Sequence, residues 1–518
     1  MAMIGRTDIL RHANAVGLSL EDDDVSELAT ILEVMGGLVE RLDHLAPEIA
    51  CQGENARAVR DPGRRASQAE DPLNAVIRWC DVKSDEPSNG ALEGLRVGIK
   101  DCVAIAGVPM TAGTRILDGY VPEMDATVVR RLIEADARII ATLNMEGLAW
   151  SGGGETSYFG AVRNPFDSMR TASGSSGGSA AALFYDSIDV TIGGDQGGSI
   201  RLPASWCGVL GLKPTFGLVP YSGALSIEYS CDYLGPMTRT VGDMASVMDV
   251  IAGPDSWDAR QWRTSPGPYH FRDTVDSAPG DLSDVTIGVL KEGFAVDESE
   301  PIRDGTLETL DATRAAIERF ERLGANIVEV SVPEHEAGGL MLFPVLVEAQ
   351  NALLSSNGNA YHVHGRYSPD LSLAFARGIR SAADDLPATI KFVAVLGEYL
   401  RQHRYGVHYG SAKNFFPKLR QAYDQVLTDI DFLVMPTTAH FAHEISADAS
   451  ASETVLRGIT MVKNTGQFNM TGHPAISLPA AEAEGLPVGV MMVGRHFDDA
   501  RLLQVARSYE REYGWLPE

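Results

Sequence analysis

Residues 170–215 read RTASGSSGGSAAALFYDSIDVTIGGDQGGSIRLPASWCGVLGLKPT. Two Gly/Ser clusters, Ser173–Ser179 and Gly193–Ser199, each lead into a helix-compatible run, and the β-branched segment Ile188–Ile192 lies between them. A flexible linker does not alternate with strands and Ala-rich helices in this way. A phosphate cradle needs a Gly-Lys-Ser/Thr ending, or a glycine pattern followed by an acidic residue about 20 positions on, and neither is present. Nucleophilic catalysis fits better. Asp195-Gln196-Gly197-Gly198-Ser199 closes a strand and sets a hydroxyl at the start of a helix. Consecutive glycines have no Cβ to block main-chain N–H groups from converging on one point. A hydroxyl beside such amides can attack a carbonyl whose oxyanion the amides and the helix dipole then stabilise.

A serine nucleophile needs a base. Gly174-Ser175-Ser176-Gly177-Gly178 matches G-x-S-x-G, which would make Ser176 a hydrolase elbow served by a downstream histidine such as His440, His443, His473 or His496. An elbow directly follows a strand, however, and Met169–Ser173 does not read as one. The other base is a lysine kept neutral by burial. Lys100 follows the apolar segment Leu95–Ile99, so its amine can be desolvated, and desolvation lowers a lysine pKa.

These segments together resemble the amidase signature family. The resemblance rests on Gly174-Ser175-Ser176-Gly177-Gly178-Ser179, on Asp195-x-Gly-Gly-Ser-Ile-Arg201, on Cys207-Gly208 and on Gly211-Leu-Lys-Pro-Thr215. Ser175 stands 75 positions after Lys100 and 24 before Ser199, which matches the family's Lys–Ser–Ser separations. Gly98-Ile-Lys-Asp101, Ala112-Gly-Thr114, Asp125-Ala-Thr127 and Phe159-Gly-x-x-x-Asn164-Pro165 also fit, and the likeness runs from about residue 71 to the end. Within the family the chain is most similar to bacterial amidases that work alongside nitrile hydratases, through Lys213–Tyr221 and Gly494–Asp499.

The resemblance implies Ser199 as nucleophile, Lys100 as neutral base, and Ser175, joined to Gly174 by a cis peptide, as the relay between them. It implies an oxyanion hole of the N–H groups of Gln196, Gly197, Gly198 and Ser199. Lys213 is read as shaping the turn beneath the site, Asp195 and Arg201 as holding the loop through a charge-assisted contact, and Cys207 as core. Trp206 replaces the common Phe, and Ala172-Ser173 replaces one glycine of the usual run. The stretch Ala149–Gly154 (AWSGGG) lies where relatives line the acyl pocket, so Ala149, Ser151 and Gly153 are candidate substrate-binding residues, and three glycines suggest room for a bulky acyl group. Further pocket residues are expected from Leu225–Tyr233 and from the chain after residue 330.

Outward from this segment, β-branched runs alternate with helices. Strands are expected at Leu95–Ile99, Ala137–Leu143, Ile188–Ile192, Val285–Leu290, Ala325–Val330, Asp431–Met435 and Val488–Val493, with helices at Thr306–Leu323, at Asp498–Tyr513 and after Asp125, a candidate cap. The expected fold is α/β, a large, mixed, mostly parallel twisted sheet with helices on both sides. Residues 71–518 form the catalytic domain. Residues 1–70 form an N-terminal helical extension, with helical spacing from Val25 through Leu42 and then a polar linker, Gly53–Glu70; relatives use such an extension in dimer contacts, so a homodimer is expected.

Composition sets the outer bounds. In 518 residues, 44% hydrophobic and 22% charged content supports a sizeable core and excludes wholesale disorder. A net charge of −27 repels polyanions, so nucleic-acid binding is not expected. No uninterrupted apolar run reaches membrane-spanning length, no signal core opens the chain, and the five scattered cysteines (Cys51, Cys80, Cys102, Cys207, Cys231) suit a reducing compartment. A cytoplasmic enzyme without membrane association is expected. The pairs His362/His364 and His440/His443 lack an H-E-x-x-H frame, so no metal and no other cofactor is expected. The expected activity is hydrolysis of a small-molecule carboxylic amide to an acid and ammonia or an amine through an acyl-enzyme. An aryl acylamidase or carbamate-hydrolysing urethanase would use the same triad, and a glutaminase subunit of a tRNA-dependent amidotransferase is the more distant alternative.

Overall fold

The computed structural model describes residues 5–50, 55–261, 267, 269–296, 305–359, 361, 365–446 and 448–515. The chain divides into two compact units, Met1–Glu54 and Asn55–Glu518. The first contains two helices, Arg6–Ala15 and Asp22–Ala50, with Ile9, Ala13 and Val25 buried and Arg6 paired with Asp22. Several apolar side chains of the longer helix are exposed, including Ile31, Val34, Met35 and Leu42.

The expected linker Gly53–Glu70, which lies partly outside the described residues, instead contains the strand β1 (Ala58–Arg65). The larger unit therefore begins at Asn55, not at residue 71. β1 is an edge strand whose side chains are mostly exposed, so its sequence shows no apolar alternation and reads as loop.

Eleven more strands complete one sheet: β2 (Val76–Ser84), β3 (Arg96–Lys100), β4 (Arg138–Leu143), β5 (Val190–Asp195), β6 (Leu210–Lys213), β7 (Tyr233–Thr238), β8 (Thr286–Leu290), β9 (Asn326–Val330), β10 (Phe432–Pro436), β11 (Ala475–Ala483) and β12 (Leu486–Val493). Their order is β1-β2-β4-β3-β5-β7-β6-β11-β12-β10-β8-β9. β5, β6, β7, β10 and β12 are buried at every position, so the middle of the sheet is covered on both faces.

The sheet is mixed, as expected, but it is not mostly parallel. Seven of its eleven pairings are antiparallel. All four parallel pairings join strands legible in the sequence: β4 with β3, β3 with β5, β10 with β8 and β8 with β9. The strands missed by hydrophobic patterning, β1, β2, β6, β7 and β11, bring most of the antiparallel ones. β11 shows the cause. It returns to β12 through Glu484-Gly485, both at positive φ, as a two-residue hairpin, which only antiparallel strands can use.

Asp125 does not cap the helix Thr127–Glu134. Its carboxylate instead accepts from Arg60 and from the N–H groups of Ala56 and Ala106, fastening the edge strand to the loop after β3. The helix Glu334–Ser355 is long and apolar enough to cross a membrane by length and composition. Here it packs against the helices Ala388–Arg404 and Val407–Val426, and Leu340, Phe343 and Leu346 line a cavity.

Candidate active site

The parallel strands β3, β4 and β5 end together, and in open α/β sheets ligands bind at the carboxyl ends of such strands. Lys100 is the last residue of β3, between β4 and β5, and it is fully buried. Its Nζ donates to Ser175 Oγ at 2.8 Å and to the Gly194 carbonyl of β5 at 3.0 Å. Burial is the main cause that pulls its pKa down, to about 8.

The Gly174–Ser175 peptide is cis. Ser176, the alternative elbow serine, donates through Oγ to the Gly194 carbonyl at 3.0 Å and accepts from the Gly194 N–H at 3.2 Å. No strand leads into it, and its hydroxyl is engaged by main chain. The Ser176 N–H donates to the Ser199 carbonyl at 3.2 Å, which ties the two Gly/Ser clusters together.

Ser199 lies just before the helix Arg201–Cys207, is 7% exposed and lines a cavity of about 800 Å³. Among the described residues, no protein group takes the N–H groups of Gln196, Gly197 or Ser199. Gly198 departs from expectation. Its N–H donates to Asp195 Oδ1 at 2.7 Å, so it is engaged by the loop's own carboxylate and not open toward the cavity. Gly198 has a φ of 141°, and a Cβ there would come within 2.3 Å of Thr465 Oγ1, so the position requires glycine.

Asp195 also accepts from the Ile200 N–H, from Arg201 and from Asn469 Nδ2. Burial opposes its charge, but Arg201 and these hydrogen bonds outweigh burial and hold the carboxyl at about 2. Arg201, itself buried, also donates to Asn469 Oδ1 at 2.7 Å. The expected Asp195–Arg201 contact is present and organises the loop. Lys213 lies beneath the site, with Nζ on the Pro214 carbonyl and over the Tyr233 ring, and Cys207 and Trp206 are core.

Ala149 and Ser151 line the cavity together with Trp150 and Gly152. Gly153 does not. Its N–H is held by Ser151 Oγ and its carbonyl by Thr171 Oγ1. Nor do the three glycines create space for an acyl group. A Cβ on Gly152 would meet Met461 Cβ at 2.9 Å, and one on Gly154 would meet Thr171 Oγ1 at 2.0 Å. Gly152, in the wall, and Gly154 permit close packing against their neighbours.

The space comes from elsewhere. Ile227 and the helix Glu334–Ser355, in the two regions expected to supply the pocket, contribute apolar lining, as does Val462. Thr465, whose hydroxyl donates to the Gly197 carbonyl, and Asn469 support the loop from 268 and 274 positions away in sequence. No local pattern marks them; only the packing of the helix Gly466–Thr471 against the helices Glu334–Ser355 and Val407–Val426 brings them in. His443 pairs with Glu155 at 3.0 Å, and His440 packs against Trp206. His362 and His364 lie outside the described residues.

Residues 73–503 match the Amidase family model. The chain belongs to the amidase family. An enantioselective amidase of Rhodococcus rhodochrous is 38% identical over 458 residues, covering 87% of this chain and 85% of that protein. A glutamyl-tRNA(Gln) amidotransferase component from Exiguobacterium sibiricum is 36% identical over 458 residues, 87% of this chain and 90% of its own. Among solved structures, a peptide amidase in complex with the competitive inhibitor chymostatin superposes with a TM-score of 0.67 at 27% identity, over 82% of this chain and 85% of that one. This amidase is thus a hydrolase acting on amides, built on the amidase signature fold.

Proposed function

We propose that this amidase hydrolyses carboxylic amides bearing an apolar acyl group, through a Ser199 acyl-enzyme. The observation that carries the reading is the 2.8 Å contact of buried Lys100 Nζ with Ser175 Oγ, beside a cavity into which Ser199 opens. A neutral Lys100 accepts the Ser175 proton as Ser175 accepts that of Ser199, and Ser199 Oγ attacks the amide carbon. The open N–H groups of Gln196, Gly197 and Ser199 stabilise the oxyanion. Collapse of the tetrahedral intermediate breaks the C–N bond, with Ser175 and Lys100 returning the proton to the leaving nitrogen. Water then attacks the acyl-enzyme by the same route in reverse.

The apolar lining (Trp150, Ile227, Leu342, Phe343, Leu346, Val462) suits an apolar acyl group, while Glu292, Glu336 and Lys463 on the same cavity wall leave a glutaminase, whose substrate carries a charged amino-acid group at the end away from its amide, as the second reading. Anilides and carbamates of similar shape fit the same machinery. Ammonia release from benzamide, measured for wild type beside Ser199→Ala, tests the proposal. Release by wild type alone is expected; equal release by both removes Ser199 as nucleophile.

A further inference from the structure

Away from the active site, three side chains meet at the open end of the β11–β12 hairpin. Asp424 lies near the end of the helix Val407–Val426, His473 just before β11, and His496 just after β12. His473 Nε2 is 3.0 Å and His496 Nδ1 3.5 Å from the same oxygen, Asp424 Oδ1, and the three ligand atoms all lie within 4.8 Å of one another. Around a tetrahedral zinc with bonds of about 2.0–2.2 Å, neighbouring ligand atoms stand about 3.3 Å apart.

The far side of each ring fixes its orientation. His496 Nε2 is 3.0 Å from the Thr471 carbonyl, and a carbonyl only accepts, so Nε2 carries the hydrogen. In the neutral ring Nδ1 is then a lone pair, 3.5 Å from a carboxylate oxygen. Two acceptors facing each other call for a cation between them. His473 Nδ1 is 2.9 Å from Thr471 Oγ1, so its Nε2 is equally directed to Asp424. One residue, Thr471, thus orients both imidazoles through the nitrogens not facing the carboxylate, as outer contacts do for metal-bound histidines. The neighbouring cation, Arg420, donates through Nε to the same Thr471 carbonyl at 2.7 Å.

We propose that Asp424, His473 and His496 bind a divalent cation of the zinc class, against the sequence expectation of no metal. Two imidazoles and one carboxylate suit such a borderline ion. Asp424 and His496 are partly exposed, which leaves an entry path and room for water to complete the shell. Bound there, the ion would tie the helix Val407–Val426 to the hairpin.

The test uses the full chain, stripped with a chelator and titrated with Zn(II) against a chromophoric indicator, with Co(II) ligand-field absorption as a second readout. Wild type is expected to bind one ion saturably and to melt at higher temperature with Zn(II) present. Asp424→Asn and His496→Gln are each expected to weaken binding by about ten-fold or more, to lose the Co(II) spectrum, and to keep wild-type amide hydrolysis, which also shows that they are folded. Absence of stoichiometric binding by wild type, leaving a second proton on His496 as the shared cation, overturns the proposal. So does binding that both variants retain at full strength.

Discussion

Replacing Lys100 by Met separates the chemistry of the buried amine from its energetics. Burial moves the ammonium's midpoint from its ordinary 10.5 to about 8. Below pH 8 the folded protein holds a proton it binds less tightly than the unfolded chain does. The amine therefore destabilises the fold by about 3 kcal/mol at pH 7. Between pH 8 and 10.5 the unfolded chain alone is protonated, so this penalty shrinks as pH rises, to about 1 kcal/mol at pH 10. Met fills a similar volume without the charge but loses the bonds to Ser175 and to the Gly194 carbonyl, a pH-independent loss of about 1–3 kcal/mol. Denaturant unfolding of Lys100→Met and wild type, compared at pH 7 and pH 10, cancels that loss. The variant's stability relative to wild type is expected to be higher at pH 7 than at pH 10 by about 2–3 kcal/mol, while amide turnover is abolished. A stability difference that does not change with pH refutes the buried, proton-shifted amine, and wild-type turnover refutes its role as base.

Three other perturbations test adjoining parts of the molecule. Because only neutral Lys100 accepts a proton, kcat/KM is expected to rise with pH to a plateau above about 8 and to fall about 50-fold between pH 8 and pH 6; a pH-rate profile that is flat over this range contradicts it. Asp195→Asn leaves Arg201 buried without its anion and is expected to lower stability by about 3–5 kcal/mol in urea unfolding at pH 7, with wild-type stability there arguing that the pair is dispensable. Removing residues 1–54 is expected to halve the mass measured by light scattering if the exposed apolar side chains of the helix Asp22–Ala50 hold a homodimer, and an unchanged oligomeric state removes that role.

The proposed site was open to a reading from sequence because its residues sit in short local patterns. Glycines that free main-chain amides, a hydroxyl before a helix and a lysine ending an apolar strand are all properties of a few consecutive residues. The spacing of Lys100, Ser175 and Ser199 added the family. The parallel part of the sheet was legible too, since strands buried on both faces are continuous apolar runs. Edge and inserted strands carry no such signature: β1 is mostly exposed, and β6 is only four residues long. Patterning therefore made the sheet too parallel and the N-terminal extension too long.

Tertiary structure alone decided which amides face the cavity. Gly198 is held by Asp195 only because the loop folds back on a carboxylate that Arg201 and the distant Asn469 keep charged. It also decided the size of the cavity beside Ser199, whose apolar lining comes largely from a helix more than a hundred residues downstream. Likewise it brought Asp424, His473 and His496 to one point. A helix, a turn and a strand end converge there through packing, and packing across such separations leaves no periodicity in the chain that produces it.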